Sequence, residues 1–95
     1  DLDYYKRNAK DLYEIVTGAG LEALYPQGAF YMWIKSPVEN EMEFVEAAKA
    51  ERILITPGRA FEGPGWVRAS FCGKNETIQK SKESWMNLGR KFGLI

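Results

Sequence analysis

Arg68 is the residue whose type and setting most invite chemistry. It sits in Val67-Arg68-Ala69-Ser70-Phe71, an otherwise mostly apolar run. Arginine is costly to desolvate and is rarely buried without a partner. Its planar fork offers two parallel hydrogen bonds, which suits a carboxylate or a phosphate. The strand pattern by itself favours a structural ion pair or a solvated outer face. The glycine-rich stretch just before it raises the case for a ligand, because such backbone often borders one.

Other candidates are weaker. The stretch PGRAFEGPG lacks G-x-x-x-x-G-K-[ST] and the dinucleotide glycine spacing, so a nucleotide site is not expected. Arg59 within it could reach an anion, but loop arginines are usually solvated. Phe30, Tyr31 and Trp33 could stack on bases, yet a packed strand core is the favoured reading. Cys72 reads as a small buried hydrophobe, since no histidine exists to activate it. Glu39, Glu41, Glu43 and Glu46 cluster at a helix start, where carboxylates usually form a solvated face that suits the helix dipole.

Composition narrows the classes further. The absence of histidine removes histidine bases, serine–histidine triads and histidine metal sites. The 13 basic and 13 acidic residues cancel, which argues against a basic nucleic-acid-binding face. One cysteine cannot form an internal disulfide or a zinc site alone, and an unpaired thiol makes the cytoplasm the expected compartment. No apolar run approaches the roughly 20 residues needed to span a membrane, so no membrane partner is expected. Ninety-five residues suffice for one domain with a modest core. The chain opens at Asp1 in a helical pattern without a methionine, and the native protein is expected to extend upstream.

The elements that must position Arg68 follow from periodicity. Tyr5, Ala9, Leu12, Tyr13 and Val16 make one stripe of a helix over about 3–17, with Gly18 and Gly20 as stop signals. Residues 21–25 suit a short strand, and Pro26-Gln27-Gly28 a turn. The run AFYMWI, 29–34, is expected as a buried strand. Ser36 or, as a rival, Asn40 caps a helix running to about Ala50, with Phe44, Val45 and Ala48 inward. Residues 52–56 form a short β run. TPGRAFEGPGW, with three glycines and two prolines in eleven residues, reads as a loop. Residues 66–72 alternate, with Val67, Ala69 and Phe71 on one side and Arg68 on the other. Asn75 is expected to cap one last helix with Ile78, Trp85, Leu88 and Phe92 inward. The order predicts an α+β, two-layer sandwich: a small, mostly antiparallel sheet with helices on one face.

Three blocks then resemble one family. Pro26-Gln27-Gly28-Ala29-Phe30-Tyr31 is similar to P-x-G-A-F-Y; Thr56-Pro57-Gly58-Arg59-Ala60-Phe61 is similar to a P-G-x-x-F segment after a short strand. Gly65-Trp66-Val67-Arg68-Ala69-Ser70-Phe71 is similar to G-x-x-R-[hydrophobic]-S-[aromatic]. All three belong to class I/II, fold-type I, pyridoxal-phosphate-dependent aminotransferases, and the opening helix with Tyr5, Lys6 and Arg7 resembles the one that enters their small domain. The resemblance implies that residues 1–95 are an aspartate aminotransferase-like C-terminal small domain. It implies amino-group transfer between an amino acid, possibly aspartate, and a 2-oxo acid in the intact, typically dimeric enzyme. Arg68 would bind the substrate α-carboxylate. Pyridoxal 5'-phosphate and its lysine would belong to an absent large domain, so the fragment alone is expected to be inactive, with no catalytic or metal-binding residue of its own. One departure stands out: many members carry glycine directly after the phenylalanine, where this chain has Glu62. The alternative is a stand-alone, non-catalytic small-molecule-binding or protein-interaction domain of the same fold.

Overall fold

The structure is a computed structural model that describes residues 2–26 and 29–95. Gln27 and Gly28 of the expected turn lie outside the described residues. Helix α1 spans Leu2–Gly18 and buries Ala9, Leu12 and Val16 of the expected stripe together with Asn8 and Ile15, while Tyr5 and Tyr13 are only partly buried. It stops where Gly20 takes a positive φ of 90°. A side chain there would be strained and would strike Leu94.

The sheet has four strands: β1, Ala23–Leu24; β2, Tyr31–Lys35; β3, Thr56–Pro57; and β4, Trp66–Ser70. Their order is β1-β2-β4-β3, with every pair antiparallel. Helices α2 (Glu41–Ala50), α3 (Asn75–Lys80) and α4 (Lys82–Lys91) complete the chain. Pro57 fits an edge strand, which can spare an N–H. Val67 and Ala69 of β4 pair with Ile34 and Met32 of β2. All four are buried with Phe44 and Ala48 of α2 and Trp85 and Leu88 of α4. The α+β sandwich with helices on one face is therefore the observed architecture.

Several expectations need correction. The run AFYMWI is not a buried strand throughout. β2 begins at Tyr31, and only Met32 and Ile34 face the core, while Phe30 and Tyr31 are exposed. The aromatic side chains mask an ordinary period-2 alternation. Asn40, not Ser36, caps α2, and its side-chain oxygen accepts the Met42 N–H at 3.1 Å. The Ser36 hydroxyl instead closes a local turn by donating to the Val38 carbonyl at 2.6 Å. The 52–56 β run is reduced to Thr56 with Pro57, because Arg52 turns left-handed (φ 63°) at the helix end. Within the expected loop, Gly58–Phe61 forms a 3-10 turn.

The last helix is broken at Ser81, whose hydroxyl donates to the Ile78 carbonyl at 2.6 Å. Such back-bonding bends helices. Asn75 does not cap. Its side chain donates to Asn8 Oδ1 at 3.0 Å and Asp11 Oδ2 at 2.8 Å. Asn8 is fully buried and in turn donates to the carbonyls of Phe71 and Gly73 at 3.0 and 2.9 Å. This network locks α1 to the segment leaving β4. Replacing Asn8 by alanine leaves two carbonyls and one amide without their partner. Asn8→Ala is expected to destabilise the chain by about 2–3 kcal/mol, read as a lowered urea midpoint.

Candidate functional site

The face of the sheet away from the helices carries the site. Register sets one row across it: Leu24 opposite Trp33, Trp33 opposite Arg68, and Arg68 opposite Thr56. Arg68 thus stands in the middle of a central strand, half-buried, on the open side. Among the described residues it makes no ion pair. Its guanidinium carbon instead lies 3.9 Å from the centre of the Tyr31 ring and 3.7 Å from that of Phe61. Its Nε is buried and has no hydrogen-bond partner. A recess of about 470 Å³ opens beside it, lined also by Leu24, Tyr25, Pro26, Tyr31 and Trp33. The terminal nitrogens of a guanidinium in such a cleft can donate two parallel hydrogen bonds to a carboxylate.

The second arginine has found its anion. Arg59 Nη2 lies 2.8 Å from Glu41 Oε1, and the Arg59 backbone N–H donates to Glu41 Oε2 at 3.1 Å. Glu41 is 1% exposed, whereas Glu39, Glu43 and Glu46 are exposed. The solvated-face reading holds for those three and fails for Glu41, and Arg59 is no free loop cation. Arg59 Nη2 also donates to Asn40 Oδ1 at 3.0 Å. The hydrogen bond from Arg59, opposed by desolvation and aided by the Gly65 and Arg59 amides, lowers the Glu41 pKa to about 2.

Two further expectations fail. Cys72 is exposed rather than buried, because the alternation carries it to the side of Arg68 and Ser70 while Phe71 turns to the core. Trp33 and Tyr31 belong to the open face beside Arg68, not to the core. Tyr31 and Phe61 were not singled out as partners of Arg68. The alternation of β2 could have revealed Tyr31, whereas Phe61 depends on a 3-10 turn with no strand pattern. Another recess, about 160 Å³, is lined mostly by apolar side chains such as Leu2, Ala9 and Phe71, with Tyr5 and Lys6 beside them. No group of three or more His, Cys, Asp or Glu among the described residues could hold a metal ion. No helix among them is long and apolar enough to cross a membrane.

Residues 1–83 match the model of the family described as aminotransferase class I and II. The chain belongs to that family. It is 36% identical over 93 residues to an aspartate/prephenate aminotransferase of Thermus thermophilus, covering 90% of this chain and 23% of that protein. It is 29% identical over 92 residues to an LL-diaminopimelate aminotransferase of Phocaeicola vulgatus, covering 90% and 22%. Among solved structures, an amino transferase from Eubacterium rectale superposes with a TM-score of 0.94 at 38% identity, covering 97% of this chain and 23% of that one. The aspartate aminotransferase of Thermus thermophilus with maleate superposes at 0.84 with 28% identity, covering 90% and 23%. The chain therefore spans about a quarter of the length of the relatives it matches.

The geometry accounts for the glycine at 58 and shows what Glu62 costs. A side chain on Gly58 would collide with the carbonyl oxygens of Gly63 and Trp66. Glu62 takes φ 62° and ψ 26°, the left-handed region where glycine sits without strain. Glu62→Gly is expected to stabilise the chain by about 0.5–1 kcal/mol, the relief of strain exceeding the added freedom of the unfolded chain. A higher urea midpoint is the readout.

Acid titration gives the second check. The folded pKa of Glu41 is depressed from 4.5 to about 2. Its contribution is present above the unfolded pKa and is lost as pH falls from 4.5 through about 2. Glu41→Gln is expected to flatten the loss of stability across that window while the other carboxylates keep their share. An unchanged acid limb refutes the assignment.

Proposed function

We propose that residues 1–95 are the C-terminal small domain of a pyridoxal-phosphate-dependent aminotransferase. In that enzyme Arg68 binds the α-carboxylate shared by the amino-acid and 2-oxo-acid substrates. The observation that carries this reading is the half-buried Arg68 guanidinium, held between two rings with no anion at its donor edge. A substrate carboxylate would accept two parallel hydrogen bonds from the terminal nitrogens, which fixes its orientation as well as its position. The maleate named with the Thermus structure is a dicarboxylate, which supports a carboxylate-binding site in the family.

The recess at Arg68 does not fit the cofactor. It holds no lysine to carry pyridoxal phosphate and no acid for the ring nitrogen. On this reading the cofactor belongs to the large domain of the same protein, and this chain alone is inactive. What this chain contributes is a carboxylate clamp and an apolar wall that excludes water from it. The family's small domain moves as a lid, and the wall would travel with it. The intact enzyme is proposed to act as a homodimer. The single, exposed Cys72 thiol supports a reducing, cytoplasmic setting.

The relatives are named for aspartate/prephenate, diaminopimelate and aromatic amino acids. What those substrates have in common is the α-carboxylate, which is the part Arg68 would hold. Aspartate is the proposed amino donor, with the choice of side chain made mostly by residues outside this chain.

Arg68→Ala in the intact enzyme is expected to lose about 2–4 kcal/mol of transition-state stabilisation, from a charge-assisted pair plus lost orientation. Arg68→Lys is expected to recover only part, because the fork is gone. The measurement is kcat/KM for the amino acid. An unchanged value in Arg68→Ala refutes the role.

A further inference from the structure

Arg68 is held in place by rings, and the two rings are secured differently. Tyr31 stands on β2, fixed by the ladder opposite Ser70. Phe61 stands at the end of the 3-10 turn, 44% exposed, on a segment that pairs with no strand. The segment from Gly58 to Gly65 is held at its far end, where the Ser36 N–H donates to the Gly65 carbonyl at 2.9 Å, and Glu41 ties down its near end. Its carboxylate takes the Arg59 backbone N–H at 3.1 Å and the Arg59 guanidinium at 2.8 Å, both at the near end of that segment. Glu41 is itself at the first turn of α2, which Phe44 pins in the core at 0% exposure. A carboxylate this buried is costly to keep. Both of these donors belong to Arg59, on this one segment.

We propose that Glu41 is a positioning residue for substrate binding: through Arg59 and the 3-10 turn it seats the Phe61 ring against Arg68 and so fixes the plane of the guanidinium that meets the substrate carboxylate. The proposal rests on the reading of Arg68 as the carboxylate-binding group. Glu41 touches no substrate, and its effect passes through Phe61. It therefore acts on binding of the carboxylate common to ground and transition states, which appears in KM more than in kcat.

The test uses the intact enzyme with Glu41→Gln, Phe61→Leu, the double variant and Arg68→Lys. Misplacement of a binding group is expected to raise KM for the amino acid about tenfold in Glu41→Gln, with kcat changed less than about threefold. Phe61→Leu is expected to raise KM similarly, and the double variant no further than Phe61→Leu alone. A general weakening of the fold would add to the Phe61→Leu effect, so additive changes overturn the proposal. If Glu41→Gln does not accumulate as folded protein, Arg59→Gln breaks the same link from its more exposed side and takes its place in the cycle. Arg68→Lys separates the two ideas. A raised KM there with an unchanged KM in Glu41→Gln overturns the positioning role alone. An unchanged KM in Arg68→Lys overturns the carboxylate reading and the positioning role with it.

Discussion

The pairing of β2 with β4 is the constraint on which the rest depends. It sets Met32 and Ile34 beside Ala69 and Val67 on the helix-covered side, and Trp33 beside Arg68 on the open side. Side chains alternate with period two, so a slip of one residue would exchange the faces. Arg68 would then enter a core whose neighbours, Phe44 and Leu88, are wholly excluded from solvent. No anion waits there, and an unpaired charge in such a place costs several kcal/mol. The helices α1, α2 and α4 therefore do more than stabilise the sheet. By claiming one face for apolar side chains they leave Arg68 only the other.

The two arginines next to the 3-10 turn show two ways of holding a guanidinium. Arg59 is paired with a buried carboxylate, which occupies its donors and ties down the backbone around it. Arg68 is held by ring faces, which attract a cation by about 0.5–2 kcal/mol yet accept no N–H bond in the plane. The rings fix the plane and leave the donor edge free. A carboxylate neighbour would have held Arg68 as firmly but would have used the edge that a ligand needs. The pairing of Arg59 is thus a structural use of the same chemistry that, on the proposed reading, Arg68 keeps open for a substrate carboxylate.

Much of this was legible from residue order. The α1 stripe, the alternation of β4 and the single-faced helical layer follow from period, and period is a local property. The Asn40 cap and the left-handed turns needed more, because rival caps and glycine-poor turns are decided by how the chain is carried to its neighbours. Glu41 was the main miss. Four glutamates around one helix start look alike in sequence, and only the fold of 58–65 over that helix end selects one for burial. Asn75 was misjudged for a related reason. Its competitor for the side chain, Asn8, lies 67 residues away. Long-range polar partners leave no periodic trace. The resemblance carried what periodicity could not, namely the role expected of Arg68, and the family match supports the fold it implied.

The exposed apolar groups of the open face gain their meaning from the arginine among them. Leu24, Tyr25, Tyr31 and Phe61 are each between 42% and 55% exposed, and they border the recess or the guanidinium itself. In water, an arginine–carboxylate contact is weak because the solvent screens it. The same contact strengthens when apolar walls exclude water. A rim of large side chains is a liability on a free surface and an asset once covered. On the proposed reading, the cover is the remaining three-quarters of the protein, and substrate binding and closure assist one another. Closure dries the contact that the carboxylate makes. The carboxylate in turn satisfies the one cation that would otherwise oppose closure by being buried without a partner.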